Sequence, residues 1–158
     1  MGEGEKTLAD NRKARHDYEV LDTYEAGIAL VGSEVKSLRA EGSIMLKDSY
    51  ADFRSGELWL VGVHIGPYKQ ANILNHEVER KRKLLMHRHE IDKLKARVEE
   101  KGLTVVPLRV YFKRGKVKVL VGLCRGRQTH DKRDAIKARE SKREIDRAVK
   151  SARGRQQP

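Results

Sequence analysis

Histidines, carboxylates and a large excess of basic side chains are the residues of this chain with chemistry to offer. His76-Glu77 begins as a helical zinc-protease pattern does, but Arg80 stands where the second histidine belongs. His87 and His89 are two apart, which on a helix puts them on different faces. Together with His76 they would make a zinc site only through an unusual fold. Cys124 is the only cysteine, so an intramolecular disulfide is impossible and cysteine-based metal sites are excluded. The stretch "GELWLVG" lacks the Lys and Ser/Thr of a phosphate-cradling loop, and no Gly-x-Gly-x-x-Gly follows a strand. No Ser/His/Asp set can be assembled. The expectation is a binding protein without metal or cofactor; an enzyme, such as a nuclease using one histidine and a carboxylate, is the weaker class.

What would be bound follows from charge. Thirty-five Lys and Arg stand against 23 Asp and Glu, a surplus of twelve on 158 residues. That surplus favours a polyanion, either nucleic acid or an acidic membrane surface. Three clusters carry it: "NRKARH" at residues 11–16, with Arg12, Lys13 and Arg15; "RKRK" at 80–83, with Arg82 and Lys83; and the C-terminal segment. From Arg125 to Pro158 there are twelve Lys and Arg against five Asp and Glu. On a helix, Ala135, Ala138, Ile145, Val149 and Ala152 share one stripe, interrupted by Lys142, while Arg139, Arg143, Arg147 and Lys150 form another. Membrane docking needs large apolar groups on one face, and this tail has none larger than Ile145 and Val149. Burying an alanine stripe offsets little of the roughly 1–2 kcal/mol per residue that ordering costs. Such a tail is expected to be disordered alone and to become helical where phosphates line its basic stripe.

Several elements must position these groups. The apolar residues concentrate between 18 and 124, so the chain reads as a disordered lead-in over 1–10, a body over 11–124 and the tail over 125–158. "HDYEVLDTYEAGIALVG" reads as extended, with Tyr18 and Tyr24 placed to stack on unpaired bases or to face a core. "SEVKSLRA" reads as a short helix capped by Ser33, with Val35 and Leu38 on one face and Gly42 closing it. Ser55-Gly56 turns a hairpin whose second strand alternates Trp59, Val61, Val63 and Ile65. "RKRKLLMHRHEIDKLKARVEEKG" reads as one long helix ending at Gly102. A helix cannot bury Leu84, Leu85 and Met86 on one side, so one of them is left for a base or a partner. "LTVVPLRVYF" and the Val117, Val119, Val121 alternation form a second hairpin about Lys113-Arg114-Gly115. The fold class is therefore mainly β with helices: a small OB-like antiparallel β-barrel plus a basic tail, with a generic α+β sheet as the alternative.

Taken together, "NRKARHDYEVLDTYEAGIALVGSEVKSLRA" at 11–40, "DSYA" at 48–51, "RKLL" at 82–85, "VPLRVYFKRGKVKV" at 106–119 and "HDKR" at 130–133 resemble the small protein B, or SsrA-binding, family of bacterial trans-translation factors. The resemblance runs from about Asn11 to Lys150. It implies an OB-like barrel that binds the tRNA-like domain of transfer-messenger RNA (tmRNA) and delivers it to ribosomes stalled on mRNA lacking a stop codon. It further implies a tail that occupies the empty decoding site and mRNA channel. Carried over position by position, the RNA surface comprises Asn11, Arg12, Arg15, His16, Glu25 and Lys36, with Leu85 as an apolar contact; Lys13, Arg82 and Lys83 join it from the basic clusters. On the tail, His130, Asp131, Lys132 and Arg133 match the motif placed near the decoding nucleotides, and Lys137, Arg139, Arg143, Arg147 and Lys150 extend the grip. The implied partners are tmRNA, the 30S and 50S ribosomal RNA of stalled ribosomes, and the elongation factor that carries aminoacyl-RNA, for a cytoplasmic monomer without membrane attachment. The competing reading is a ribosomal or initiation-factor-like OB protein that binds rRNA directly; such a protein has no need of so long a basic tail.

This division of labour is open to a simple test. Truncation after Gly126 is expected to leave binding to the tRNA-like RNA intact while abolishing function on stalled ribosomes, checked by a gel-shift titration beside a peptide-tagging assay.

Overall fold

The computed structural model describes residues 5–70 and 75–126. In chain order the elements are β1 (Glu5–Asp10), α1 (Arg12–Asp17), β2 (Tyr18–Ile28), α2 (Gly32–Ala40), β3 (Ile44–Met45), β4 (Tyr50–Arg54), β5 (Glu57–Val61), β6 (His64–Ile65), β7 (Arg82–Leu85), α3 (Arg88–Lys101), β8 (Thr104–Lys113) and β9 (Lys116–Gly126). All pairings are antiparallel. The sheet runs β1-β8-β4-β5-β7-β2-β9, and β8 also pairs with β9, so the ladder closes on itself as the OB-like reading requires. The seam is thin on one side: β4 meets β8 through the single register pair Ala51–Val105. Inside lie Leu58, Leu60, Val63, Ile65, Leu84, Leu94, Val105, Val110, Val119, Val121 and Leu123, all buried.

Two hairpins form where turn chemistry and alternation predicted them, β4–β5 about Ser55-Gly56 and β8–β9 about Arg114-Gly115. The phase of the first differs. Leu58 and Leu60, rather than Trp59 and Val61, face the core, whereas Val63 and Ile65 are buried as expected. Gly62 lies between the two sets at φ 85°, a left-handed conformation that side chains other than glycine resist. The chain kinks there and the inward parity changes.

The lead-in expected to be disordered is instead strand β1 over Glu5–Asp10, paired with Lys113 back to Arg109 on β8. At the other end β9 runs on to Gly126, so Arg125 and Gly126 belong to the barrel rather than to the tail. The stretch that follows β1 is a helix, α1, although His16 and Asp17 were read as extended. Six residues do not hold a helix alone. Asn11 holds this one in place, being only 5% exposed. Its Oδ1 accepts from the Ala14 N–H at 3.2 Å, and its Nδ2 donates to the Pro107 carbonyl at 2.8 Å and the Leu46 carbonyl at 3.4 Å. The register of β8 shifts between Pro107 and Arg109, and the freed Pro107 and Leu108 carbonyls turn to Asn11. Ala14 then packs with Val106, Leu108 and Cys124.

The largest departure is at "RKRKLL". In place of the start of a long helix, Arg82–Leu85 is strand β7, seated between β5 (Leu58–Leu84, Trp59–Lys83, Leu60–Arg82) and β2 (Gly27–Leu85, Ile28–Leu84). Arg82 and Leu84 point inward; Lys83 and Leu85 point outward. The barrel needs a strand at this place, and the period of two was hidden because one inward residue is an arginine. Arg82 is fully buried and spends its donors on Glu34 Oε2, the Val63 carbonyl (2.8 Å) and the Val78 carbonyl (3.1 Å). Glu34, equally buried on α2, also accepts from Arg80 Nη2 at 2.7 Å and from the Val31 N–H at 2.9 Å. That last bond caps α2 at Val31 instead of Ser33, and the inward stripe is Glu34, Ser37 and Leu38.

Burial by itself would raise the Glu34 pKa, but the hydrogen bonds from Arg80, Val31 and Arg82 outweigh it and hold the carboxyl below its ordinary value. A depressed carboxyl stabilises the fold at pH above its unfolded value and loses that contribution as pH falls through the folded one. Either Glu34→Ala or Arg82→Ala is expected to cost about 3–5 kcal/mol by stranding a buried charge, and Glu34→Leu with Arg82→Met much less. Urea unfolding checks both, and for the wild type it is expected to show stability falling on acidification below the ordinary glutamate range. Asn11→Ala is expected to cost about 1–3 kcal/mol, since it removes a cap and leaves buried carbonyls unpaired; the midpoint of thermal unfolding reads it.

Candidate nucleic-acid interface

The expected RNA-binding residues fall at the two ends of β2. At its start, beside Tyr18, α1 presents Arg12, Lys13, Arg15 and His16, all exposed. Near its end, beside Ile28, lie Glu25, Lys83 and Leu85. Eleven strand residues rising about 3.3 Å each place the two neighbourhoods roughly 30 Å apart along the chain.

At the α1 end, the cations rest on carboxylates. Lys13 meets Asp48 at 2.7 Å, Arg15 meets Asp10 at 3.2 Å, and His16 Nδ1 lies 3.0 Å from Asp17. A small cleft of about 250 Å³ opens beside them, lined by Lys13, Tyr18, Asp48, Tyr50 and Thr104 among others. Exposed pairs of this kind are screened by water and contribute little, so an incoming phosphate can displace the carboxylate at little cost. Asn11 belongs to this end in sequence but turns inward, where its amide is fully used by the backbone contacts described above.

At the other end, Leu85 is half exposed, a leucine held outward by the parity of β7. It separates two clefts. One, of about 570 Å³, has Leu84, Leu85, Met86 and Ile91 along its apolar side and Glu25, Glu57, Lys83, Arg88 and Lys118 among its charged groups. The second, of about 350 Å³, is lined by Leu30, Val35, Leu85, Val117 and Lys118 among others. Close approach of strands shapes the ridge: a Cβ on Gly27 would come within 3.2 Å of Leu85 Cβ. Lys83 is paired with Glu57. Lys36 is exposed on α2 next to Val35. Apolar surface to stack on, ringed by cations, suits an unpaired base with its phosphates.

Glu25 is the odd group on this face. Its Oε2 accepts from the Tyr111 hydroxyl and from Lys113 Nζ at 3.3 Å. The Tyr111 hydrogen bond, opposed by partial burial and helped by Lys113 and Lys118, holds the Glu25 carboxyl below its ordinary value. Burial and the Glu25 charge push the Tyr111 phenol up to about 12. At neutral pH the pair is therefore a carboxylate and an intact phenolic donor.

Other expectations are corrected. Arg82 is not available to RNA, because its guanidinium is buried and satisfied. Tyr24 packs against the core and its hydroxyl accepts from Arg97 at 2.8 Å, and Tyr18 packs beside α1, so both serve the barrel. His87 is the N-cap of α3 rather than part of the helix, so its ring stacks on His89, with centroids 5.6 Å apart, in place of facing away from it. His76 bridges Ser33 Oγ and the Ile65 carbonyl, each at 2.9 Å. Among the described residues no group of three or more His, Cys, Asp or Glu could hold a metal ion, and no helix is long and apolar enough to cross a membrane. Burial pushes the Cys124 thiol up to about 11, which suits a core residue. Tyr111, Lys113 and Lys118 were missed by the sequence reading. They sit in the β8–β9 hairpin, where strand parity gave a signal that was not used. His130, Asp131, Lys132, Arg133, Lys137, Arg139, Arg143, Arg147 and Lys150 lie outside the described residues.

Comparison with known proteins agrees with this geometry. The SmpB protein family model matches residues 8–151. An SsrA-binding protein of Trichodesmium erythraeum (strain IMS101) is 54% identical over 150 residues, covering 94% of this chain and 96% of the relative. Another, of Symbiobacterium thermophilum (strain DSM 24528 / JCM 14929 / IAM 14863 / T), is 58% identical over 144 residues, covering 90% of each. A solved structure described as "tmRNA-SmpB: a journey to the center of the bacterial ribosome" superposes with a TM-score of 0.66 at 52% identity, over 81% of this chain and 93% of that one. A closed antiparallel barrel with outward Leu85 and a basic α1, matched over nearly its whole length by such relatives, belongs to the SmpB family.

Proposed function

We propose that this protein binds the tRNA-like domain of tmRNA through the barrel and brings it to ribosomes stalled on mRNA without a stop codon. There the RNA supports rescue and peptide tagging by trans-translation. The observation that carries the reading is the Leu85 ridge: a half-exposed leucine between two clefts, ringed by Lys83, Arg88 and Lys118. The apolar side of each cleft gives a base something to stack on, and the rim gives its phosphates cations. Arg12, Lys13 and Arg15 extend the contact along a second stretch of backbone, their carboxylate partners yielding to phosphate. The named relatives, SsrA-binding proteins, and the tmRNA-SmpB structure support the same partner over the rRNA-only alternative.

The tail completes the function. Its eleven Lys and Arg after Gly126 suit a path walled by ribosomal RNA, and His130, at the head of "HDKR", is suited to stacking on a base in the decoding site. Charge grips there without the large apolar groups that docking on a protein would need.

Arg12→Ala, Arg15→Ala and Leu85→Ala are each expected to weaken binding of a transcribed tRNA-like domain by about 1–3 kcal/mol. The logarithm of wild-type affinity should fall linearly with that of salt, and the two arginine variants should each reduce the slope by about one. Fluorescence anisotropy over a salt series measures all of these, and wild-type affinity in all three variants would remove both ends of β2 from the site.

A further inference from the structure

A carboxylate on a polyanion-binding surface is repelled by phosphate, so it is useful only if it is aimed at a donor. Glu25 is aimed. Tyr111, 2% exposed, lies across the barrel wall and donates its hydroxyl proton to Oε2. The Arg109 guanidinium lies 4.2 Å from the centroid of the Tyr111 ring and holds the phenol from the other side. Arg109 in turn meets Glu5 Oε2 at 3.6 Å and Thr7 Oγ1 at 3.4 Å on β1, so the phenol is braced from a third strand. Lys113 Nζ reaches Oε2 at 3.3 Å and Oε1 only at 3.5 Å. One carboxylate oxygen is thus tied down, and the other, Oε1, is left with a single long contact at the wall of the larger cleft. An oxygen held like this accepts from the N–H groups of a base edge and disfavours phosphate.

We propose that Tyr111 is the positioning residue that fixes Glu25 as the acceptor for a base N–H of the bound RNA, an inference that rests on the RNA-binding reading of the Leu85 ridge. Tyr111 itself is buried and touches no RNA; it acts through Glu25, with Arg109 bracing the ring. The face therefore carries one element that reads a base among many that read phosphate. Generic polyanions gain the cations there and pay for the carboxylate.

A double-mutant cycle on the full chain tests this, with a transcribed tRNA-like domain as probe. Tyr111→Phe keeps the ring and its stacking on Arg109 and removes only the donor. Tyr111→Phe and Glu25→Gln are each expected to weaken binding about five- to tenfold, the scale of one charge-assisted hydrogen bond. The double variant is expected to bind as Glu25→Gln alone does, because Tyr111 has then nothing left to position. Equal costs of Tyr111→Phe in the wild-type and Glu25→Gln backgrounds would mark a merely structural role and overturn the proposal, as would wild-type affinity for Tyr111→Phe. Wild-type affinity for Glu25→Gln would instead remove Glu25 from the RNA site, and the proposal with it, while leaving Leu85 and α1 untouched. Should Tyr111→Phe melt below the assay temperature, Glu25→Asp decides. It keeps the charge but draws the carboxylate back from the hydroxyl, so a loss matching Glu25→Gln supports positioning and wild-type binding refutes it.

Discussion

Arg82 is the constraint on which the rest of this barrel depends. A guanidinium taken fully out of water carries a desolvation cost of several kcal/mol, about the same order as the net stability of a small domain. It is tolerated because its hydrogen bonds go to a carboxylate and two carbonyls, from α2, from the end of β5's continuation at Val63 and from the approach to β7 at Val78. Those partners lie far apart in sequence and can be assembled in one way only. β7 has four residues, two of them basic and two leucine, and a slip by one position would exchange its faces. Lys83 cannot replace Arg82 in that nest, having a point charge where a planar fork is needed. The ion pair thereby sets the register of β7, and the register of β7 decides that Leu85 is outside. An apolar residue at position 82 would fill the space without specifying the parity.

The same logic explains why so small a body can tolerate exposed apolar surface and paired charges together. Removing the six surplus charges that follow Gly126 leaves a surplus of six on everything before it. At the surface Lys13, Arg15, Lys83 and Lys113 each sit on a carboxylate. Solvent already screens these pairs, so exchanging a carboxylate for another anion costs each cation little. Glu25 differs from Asp48, Asp10 and Glu57 in having a buried neutral donor beside its cation.

Much of this was legible in the sequence. The two hairpins, the helix that ends at Gly102, the closed β class and the basic clusters followed from periodicity, turn residues and charge. Helical geometry left one of Leu84, Leu85 and Met86 outward without saying which, and the family resemblance named Leu85; strand parity is what turns it out. What failed has a common cause: long-range partners override local pattern. Arg82 reads as part of a solvated run until Glu34, 48 positions away, is seen beneath it. Asn11 reads as a polar surface residue until the Pro107 carbonyl, 96 positions away, is found at its amide. β1 reads as a polar terminus because its pairing strand comes near the end of the body. In each case a single residue's type was informative but its partner was not, and a barrel closed by non-local pairs hides those partners by construction.

Buried geometry and surface charge consequently do different work in this chain. Charge brings RNA to any basic surface and says nothing of which RNA. Two outward groups are held in place by their neighbours: Leu85 through Arg82 and Glu34, and Glu25 through Tyr111 and Arg109. Both chains of support end on the same stretch of β2, since Leu85 pairs with Gly27 and Glu25 is two residues before it. An apolar ridge on β7 and a carboxylate on the neighbouring β2, two residues from the ridge's register partner, stand at a fixed distance and direction from each other. The surface positions of Leu85 and Glu25 accordingly depend on side chains that are themselves covered, Arg82, Glu34 and Tyr111.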